Sequence, residues 1–334
     1  MKQFFKMMFA SMLGFFLACV LVSLIFIGIV ASALSFTKKQ EVVVPDKTIL
    51  QLTLEEPFHD RSSDDPMSYI NFNNLSAGKP MGLTEILETL KNASSDEKVS
   101  GMLLDLSEIP VSIATIEEIR NALIDFKKSG KFIVSYSENY NQKAYYLASV
   151  ADKIYLNPAG SMEFKGLTGQ VMFFKGLLEK LDVEPQVIRH GKFKSAVEPF
   201  ILDKMSEPSK EQTLSYVSAI WNHMLDQISK ARKISTTELV AIADNHRIGK
   251  PEDAVDNSLV DKLMYKDQLL DELKNRVGSK TVKDMSIMKL AKYQDAPKSE
   301  KHEAGKDRIA VIYAEGNIIS GQGDDQSIGS LKNI

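Results

Sequence analysis

The sequence predicts an α/β domain that follows one membrane-spanning helix and carries a helical appendage. Two observations support this prediction. Apolar segments of strand length alternate with segments of helical hydrophobic spacing, which is the pattern of a parallel sheet with crossover helices. A long uncharged segment precedes this alternation, and helix-type segments follow it.

The uncharged segment near the N-terminus runs from Met7 to Phe36. A helix rises about 1.5 Å per residue, so this segment exceeds the roughly 30 Å of a bilayer core, and we expect an uncleaved anchor over residues 7–36. A cleaved signal peptide is the alternative, because residues 31–33 (Ala-Ser-Ala) resemble a cleavage site, but the apolar region is about twice the usual length. Lysines flank the segment equally, and the α-amino group favours an N-terminus inside the cell.

The α/β alternation begins after this anchor. We expect strands at Thr48–Leu54, Val99–Leu106, Lys131–Tyr136, Lys153–Leu156 and Glu184–His190. The expected helices between them are marked by Leu83, Ile86, Leu87 and Leu90, by Ile116, Ile119, Leu123 and Phe126, and by residues 142–150 and 171–181. Residues 58–80 are rich in Asp, Ser, Asn, Gly and Pro and are expected to form a loop.

The helical appendage is expected from Glu207 onward. A helix over Glu207–Lys230 would carry one apolar stripe, formed by Val217, Ile220, Trp221, Met224 and Ile228. Further helices are expected over residues 235–244 and 267–277. The polar residues 293–307 indicate a linker, and Arg308–Ile319 (RIAVIYAEGNII) predicts the first strand of a new unit.

Composition excludes several classes of function. The 334 residues carry a formal net charge of -3 without a basic cluster, which argues against nucleic acid as a partner. Cys19 is the single cysteine and the five histidines are scattered, so we expect neither a disulfide framework nor a metal site. The glycines of Gly160–Gly169 lack the spacing of a P-loop or a dinucleotide fingerprint, and no cofactor is implied.

The segment with the strongest chemical signal is Gly191–Phe200, GKFKSAVEPF. It places Lys194 in an apolar, β-leaning setting, where an ammonium is costly unless it pairs or loses its proton. Burial favours the neutral amine, which can act as a general base in a Ser–Lys hydrolase. A solvated lysine on an edge strand is the alternative from local pattern alone.

This segment, continuing into Asp203, Met205 and Ser206, resembles the lysine motif in the first half of the long, two-domain signal peptide peptidase A (protease IV) family. The resemblance extends from the anchor to the last residue. It implies that Lys194 is the general base, whereas Lys192 does not match the catalytic position. It also implies the crotonase-like (ClpP-type) fold, a spiral of βαβ units, which the pattern alone does not separate from a doubly wound sheet.

The resemblance divides the chain into a first crotonase-like peptidase domain with a helical extension over residues 45–280, a linker over 281–307 and the start of a second peptidase domain over 308–334. In this family the serine nucleophile lies in a Ser-Pro-Gly-Gly-Ser segment of the second domain, and the sequence contains no such segment. We therefore expect this chain to supply the base without its nucleophile and to be inactive alone.

Two serines of the chain are alternative nucleophiles. Ser112 falls near the strand-to-helix turn that corresponds to the nucleophile's place in the second domain, where helix N–H groups can hold an oxyanion. A helix cap by Ser112 or Thr115 is the other interpretation, and this turn lacks the paired glycines of a close backbone approach. Ser195 follows Lys194 directly and would point to the opposite face of a strand.

The resemblance implies a membrane-anchored serine endopeptidase of Ser–Lys type that degrades cleaved signal peptides and other hydrophobic peptides without a cofactor. Its expected partners are these peptides, the lipid bilayer and copies of itself in a ring-like homo-oligomer. Its expected location is a bacterial-type inner membrane, with the catalytic domain outside the cytoplasm. A noncatalytic scaffold is one alternative. A crotonase-like enzyme acting on acyl thioesters is another, disfavoured by the anchor and by the lack of a recognisable acyl-CoA site.

Overall fold

The computed structural model describes residues 2–36, 42–62, 70–71, 76–77, 81–297, 310–311, 317–319 and 327–329. The chain divides into two compact units, residues 1–299 and residues 300–334. The larger unit holds the α/β core, and the smaller unit holds one pair of short parallel strands.

The described residues form ten strands and eleven α-helices. The strands are β1 (Thr48–Leu52), β2 (Ile70–Asn71), β3 (Ser76–Ala77), β4 (Val99–Asp105), β5 (Phe132–Tyr140), β6 (Lys153–Met162), β7 (Lys262–Leu263), β8 (Ile287–Lys289), β9 (Asn317–Ile319) and β10 (Ser327–Gly329). The helices are α1 (Lys2–Phe36), α2 (Leu83–Ser95), α3 (Ile113–Lys127), α4 (Gln142–Ala148), α5 (Lys175–Lys180), α6 (Glu198–Ile201), α7 (Glu207–Arg232), α8 (Thr236–Asp244), α9 (Pro251–Asp256), α10 (Lys266–Val277) and α11 (Leu290–Tyr293). Two 3₁₀ turns occur at Ser195–Val197 and Val282–Asp284.

Helix α1 is a single apolar helix of 35 residues. Its segment Lys2–Ile25 is long and apolar enough to cross a membrane, and this segment is not buried against the rest of the described chain. Transfer of exposed apolar side chains from water into an apolar environment, such as a lipid bilayer, is favourable. The helix therefore fits the membrane anchor expected from the sequence.

The core is one parallel sheet of six strands in the order β7-β6-β5-β4-β1-β8. Strand β4 lies near its centre, and Met102, Leu103 and Leu104 are each at most 1 % exposed. Such a strand is apolar on both faces because both faces of the sheet are covered. The parallel α/β class predicted from the alternating pattern is confirmed.

Helices cover the two faces of this sheet. On one face, the α3 residues predicted from helical spacing are all buried in the larger apolar cluster: Ile116, Ile119, Leu123 and Phe126. On the other face, α10 buries Leu269, Leu273 and Val277 in a second cluster with Ile49 and Val134 of the sheet. The predicted appendage helix α10 therefore returns to the sheet and closes its second face.

Strand β6 continues past the end predicted at Asn157-Pro158. The ladder with β5 shifts register between Ser137 and Asn139, so Pro158 falls at an irregularity, where its missing N–H removes no ladder bond. Beyond it, a Cβ at Gly160 would lie 1.8 Å from the Glu138 carbonyl oxygen. Only glycine therefore allows the backbones of β5 and β6 to come this close.

The strand predicted over Glu184–His190 is wrong. These residues form neither strand nor helix and are mostly exposed, with Ile188 fully exposed. The edge of β6 is instead occupied by β7, which comes from far along the chain and pairs in parallel through Tyr155 and Leu156. The helix predicted over residues 171–181 is shorter than expected, since α5 covers only Lys175–Lys180.

The expected linker begins later than residue 281. Strand β8 pairs with β1, and Leu290 and Tyr293 of α11 are buried in the main core. In the smaller unit, β9 forms the end of the strand predicted over Arg308–Ile319, whereas residues 308–309 and 312–316 lie outside the described residues. The loop predicted over residues 58–80 includes the short antiparallel pair β2–β3.

Candidate active site

The predicted catalytic motif forms a turn followed by short helices. Gly191 has φ of +98°, a conformation that favours glycine, and the Lys194 N–H donates to the Gly191 carbonyl at 3.3 Å. Lys194 then precedes the 3₁₀ turn Ser195–Val197, which continues into α6. The β-leaning setting predicted for Lys194 is therefore wrong, because the glycine turn and the following helices replace a strand.

The Lys194 side chain is exposed. This differs from the apolar burial expected from sequence, and it follows from the missing strand at residues 184–190. Lys192 is exposed as well, and its ammonium lies 4.7 Å from the centroid of the Phe193 ring, a cation–π contact. The described structure thus presents the Lys194 amine on a surface that is open to solvent.

A buried carboxylate lies directly behind this turn. Glu198 is 2 % exposed, and its carboxyl accepts hydrogen bonds from the Ser206 hydroxyl at 2.6 Å and the Ser206 N–H at 3.1 Å. Nη1 of Arg189 lies 3.5 Å from Glu198 Oε1 and donates at 3.3 Å to the Lys194 carbonyl. The Ser206 hydroxyl, followed by its N–H and the Arg189 guanidinium, holds the pKa of the Glu198 carboxyl below its usual value, although burial opposes this.

A cleft of about 310 Å³ opens between this turn and the start of α7. Residues with apolar side chains line it, among them Phe173 and Tyr216, together with Ser195 and Thr213. Ser195, the residue that follows Lys194, lines this cleft. No sequence signal predicted this cleft, because its walls lie in segments separated along the chain.

The structure places the two alternative serines in different settings. Ser112 is the N-cap of α3: its hydroxyl oxygen accepts from the Thr115 N–H at 3.1 Å and lies 2.9 Å from the Thr115 hydroxyl. The capping interpretation of Ser112 is therefore confirmed. Ser195 is half-buried in the 3₁₀ turn beside Lys194, so the expected opposite strand faces do not exist.

The glycine-punctuated loop after β6 is held by an amide that the sequence did not single out. Gln142, in the first turn of α4, accepts from the N–H groups of Lys165 and Gly166 at 2.9 and 3.0 Å and donates to the Gly166 carbonyl at 2.9 Å. Gly166 has φ of +92°, which its missing side chain permits. The loop is thereby fixed at the start of the segment that leads to α5.

Among the described residues, no group of three or more His, Cys, Asp or Glu side chains is placed to hold a metal ion.

Residues 125–280 match the model of peptidase family S49. Among curated proteins, the chain is 27 % identical over 333 residues to Protease 4 of Haemophilus influenzae, covering 94 % of this chain and 54 % of that protein. It is 34 % identical over 256 residues to Protease 4 of Salmonella typhi (74 % and 41 %) and 31 % identical over 251 residues to the chloroplastic serine protease SPPA of Arabidopsis thaliana (75 % and 37 %). The chain spans about half, or less, of the length of these relatives.

Two solved structures show similarity in fold. One is a mutant of a membrane-bound stomatin-specific protease, with a TM-score of 0.39 and 9 % identity, covering 74 % of this chain and 98 % of that one. The other is an enoyl-CoA hydratase/carnithine racemase of Magnetospirillum magneticum, with a TM-score of 0.38 and 15 % identity, covering 72 % and 76 %. At these values the similarity says nothing about chemistry.

Proposed function

Because the chain carries a peptidase family S49 domain over residues 125–280, we propose that it is a membrane-anchored serine endopeptidase in which Lys194 is the general base. The observation that carries this proposal is that the matched region contains the motif Gly191–Phe200, in which Lys194 stands before SAVEPF. The proposed substrates are cleaved signal peptides and other hydrophobic peptides.

The proposed chemistry has two steps. The neutral Lys194 amine takes the proton of a serine hydroxyl while the serine oxygen bonds to the peptide carbonyl carbon. The C–N bond then breaks, and the ammonium returns its proton to the leaving amine, which leaves an acyl-enzyme. In the second step the amine removes a proton from water, the hydroxide oxygen displaces the serine oxygen, and the serine recovers its proton.

The exposure of Lys194 places a condition on this mechanism. A general base must be neutral, and exclusion of water favours the neutral form of a lysine amine. We therefore propose that the surface bearing the serine covers Lys194 when the site is complete. We propose that this serine lies outside these 334 residues, which cover 54 % and 41 % of two of the relatives.

The surface around the motif supports association with another protein surface. Outside α1, most of the large exposed apolar side chains lie between residues 167 and 216 of the chain, and they include Met172, Leu181, Ile188, Phe200 and Leu214. Exposed apolar side chains gathered in one region are typical of interaction sites. We propose that copies of this protein associate through this region.

We also propose that α1 anchors the protein in a bacterial-type inner membrane, with the catalytic unit outside the cytoplasm.

Substitution of Lys194 in the full-length protein tests the proposed function. Lys194→Ala should reduce cleavage of an unstructured hydrophobic peptide to background, because no group remains to take the serine proton. Lys194→Arg should be equally inactive, since guanidinium stays protonated. The matched control Lys192→Ala, two residues earlier on the same exposed turn, should retain most of kcat/KM. Near-normal turnover by Lys194→Arg would overturn the general-base assignment.

A further inference from the structure

The residues behind Lys194 form a hydrogen-bonded group of three, Arg189, Glu198 and Ser206, here called the Glu198 clamp. We propose that Glu198 is a positioning residue, whose buried carboxylate fixes the backbone of Lys194 through Arg189 and ties it to the start of α7. This inference rests on the proposed role of Lys194 as general base. It adds a residue that controls where the Lys194 amine lies relative to its serine.

The first half of the clamp connects Glu198 to Lys194. One guanidinium nitrogen, Nη1 of Arg189, donates to the Lys194 carbonyl at 3.3 Å and lies 3.5 Å from Glu198 Oε1. The carboxylate thus orients the guanidinium that holds the Lys194 peptide group. Residues 184–190 form neither strand nor helix, so no sheet ladder fixes the chain that leads into the motif.

The second half of the clamp connects Glu198 to a rigid element. Ser206 donates its hydroxyl and its N–H to the two carboxyl oxygens, at 2.6 and 3.1 Å, and the same hydroxyl oxygen accepts from the Ser209 N–H at 3.3 Å as the N-cap of α7. Helix α7 has 26 residues and is anchored in the core by Met224 and Ile228. These hydrogen bonds therefore fix the position of the Lys194 backbone relative to α7, a helix that is packed in the main core.

Burial of this acid is difficult to explain by packing alone. A buried carboxylate is costly unless several donors compensate it, and an apolar side chain would fill the same space without that cost. Packing of α6 is already supplied by its neighbours, because the Phe174 N–H donates to the Pro199 carbonyl at 2.7 Å and the Phe174 and Phe200 rings stack at 6.1 Å. The role left for the carboxylate is to orient the hydrogen-bond donors of Arg189 and Ser206.

Glu198→Gln in the full-length protein tests the clamp, with cleavage of an unstructured hydrophobic peptide as the assay. The amide keeps the size of the side chain but replaces one acceptor oxygen with a donor, so it cannot satisfy both Ser206 groups and Arg189. We expect kcat to fall about tenfold or more because the amine is displaced from its serine. We expect KM to stay within about twofold because substrate binding is unchanged. Glu207→Gln is the matched control: its side chain is 86 % exposed, and its carboxylate pairs with Lys210.

Ser206 provides a second, independent variant. Ser206→Ala removes the hydroxyl donor and should lower kcat in the same way, and Ser206→Thr should restore kcat because it returns the hydroxyl. Wild-type kcat in both Glu198→Gln and Ser206→Ala, with Lys194→Ala inactive, would overturn the clamp while leaving the proposed function intact. Wild-type turnover by Lys194→Ala would instead overturn the proposed function, and the clamp proposal with it.

Discussion

At the scale of single residues, the sequence identifies Lys194 but not its surroundings. The motif is local, so its ten residues can be read directly. Exposure of the amine, in contrast, depends on the conformation of the segments before and after the motif. The strand expected before it, over residues 184–190, is absent. Glu198 was not singled out from sequence, because its donors, Arg189 and Ser206, are recognisable only once the chain is folded.

Ser112→Ala distinguishes a capping role from a catalytic one. Loss of an N-cap side chain costs about 0.5–2 kcal/mol, so we expect a lower free energy of unfolding and unchanged peptide turnover by the full-length protein. Denaturant unfolding of the variant, measured beside Ser112→Thr, checks the first expectation, because threonine keeps a capping hydroxyl. Lost turnover with unchanged stability would instead make Ser112 a nucleophile.

At the scale of elements, the sequence predicts what local pattern determines and misses what distant segments determine. Strand β4 and helix α3 are predicted because β4 is continuously apolar and the apolar residues of α3 recur at helical spacing. The false strand at residues 184–190 has the composition of an edge strand, but β7 occupies that edge. Likewise, the apolar positions of α10 indicate which face is buried, and only the fold reveals that it lies against the sheet.

The link between α6 and α7 is expected to weaken in acid. The pKa of Glu198 is held below its usual value, so its ionised form stabilises the link above pH of about 4.5, and this contribution is lost as the pH falls through the lowered pKa. Amide hydrogen exchange over residues 195–206 should be slower in wild type than in Glu198→Gln near neutral pH. The two proteins should converge once the pH has fallen below the lowered pKa of Glu198. A difference that stays constant into acid would contradict a role for the charge.

At the scale of the whole molecule, the described chain supplies a parallel α/β fold and, in our proposal, one half of a catalytic pair. The long apolar helix α1 and the parallel α/β core follow from length and periodicity, which are properties of the sequence itself. Completion of the proposed site does not follow from them, because in our proposal it depends on a further surface that meets Lys194. We propose that such a surface meets the segment of residues 167–216, which includes Lys194 and exposes large apolar side chains.

Our central proposal is that Lys194 activates a serine that lies outside these 334 residues. Labelling of the full-length protein with a fluorophosphonate probe, followed by mass spectrometry of the labelled peptide, tests it most directly. We predict that the label falls on a serine outside residues 1–334 and that Lys194→Arg abolishes it, because guanidinium cannot accept the serine proton. A label on Ser112 or Ser195, or wild-type labelling of Lys194→Arg, would contradict the claim.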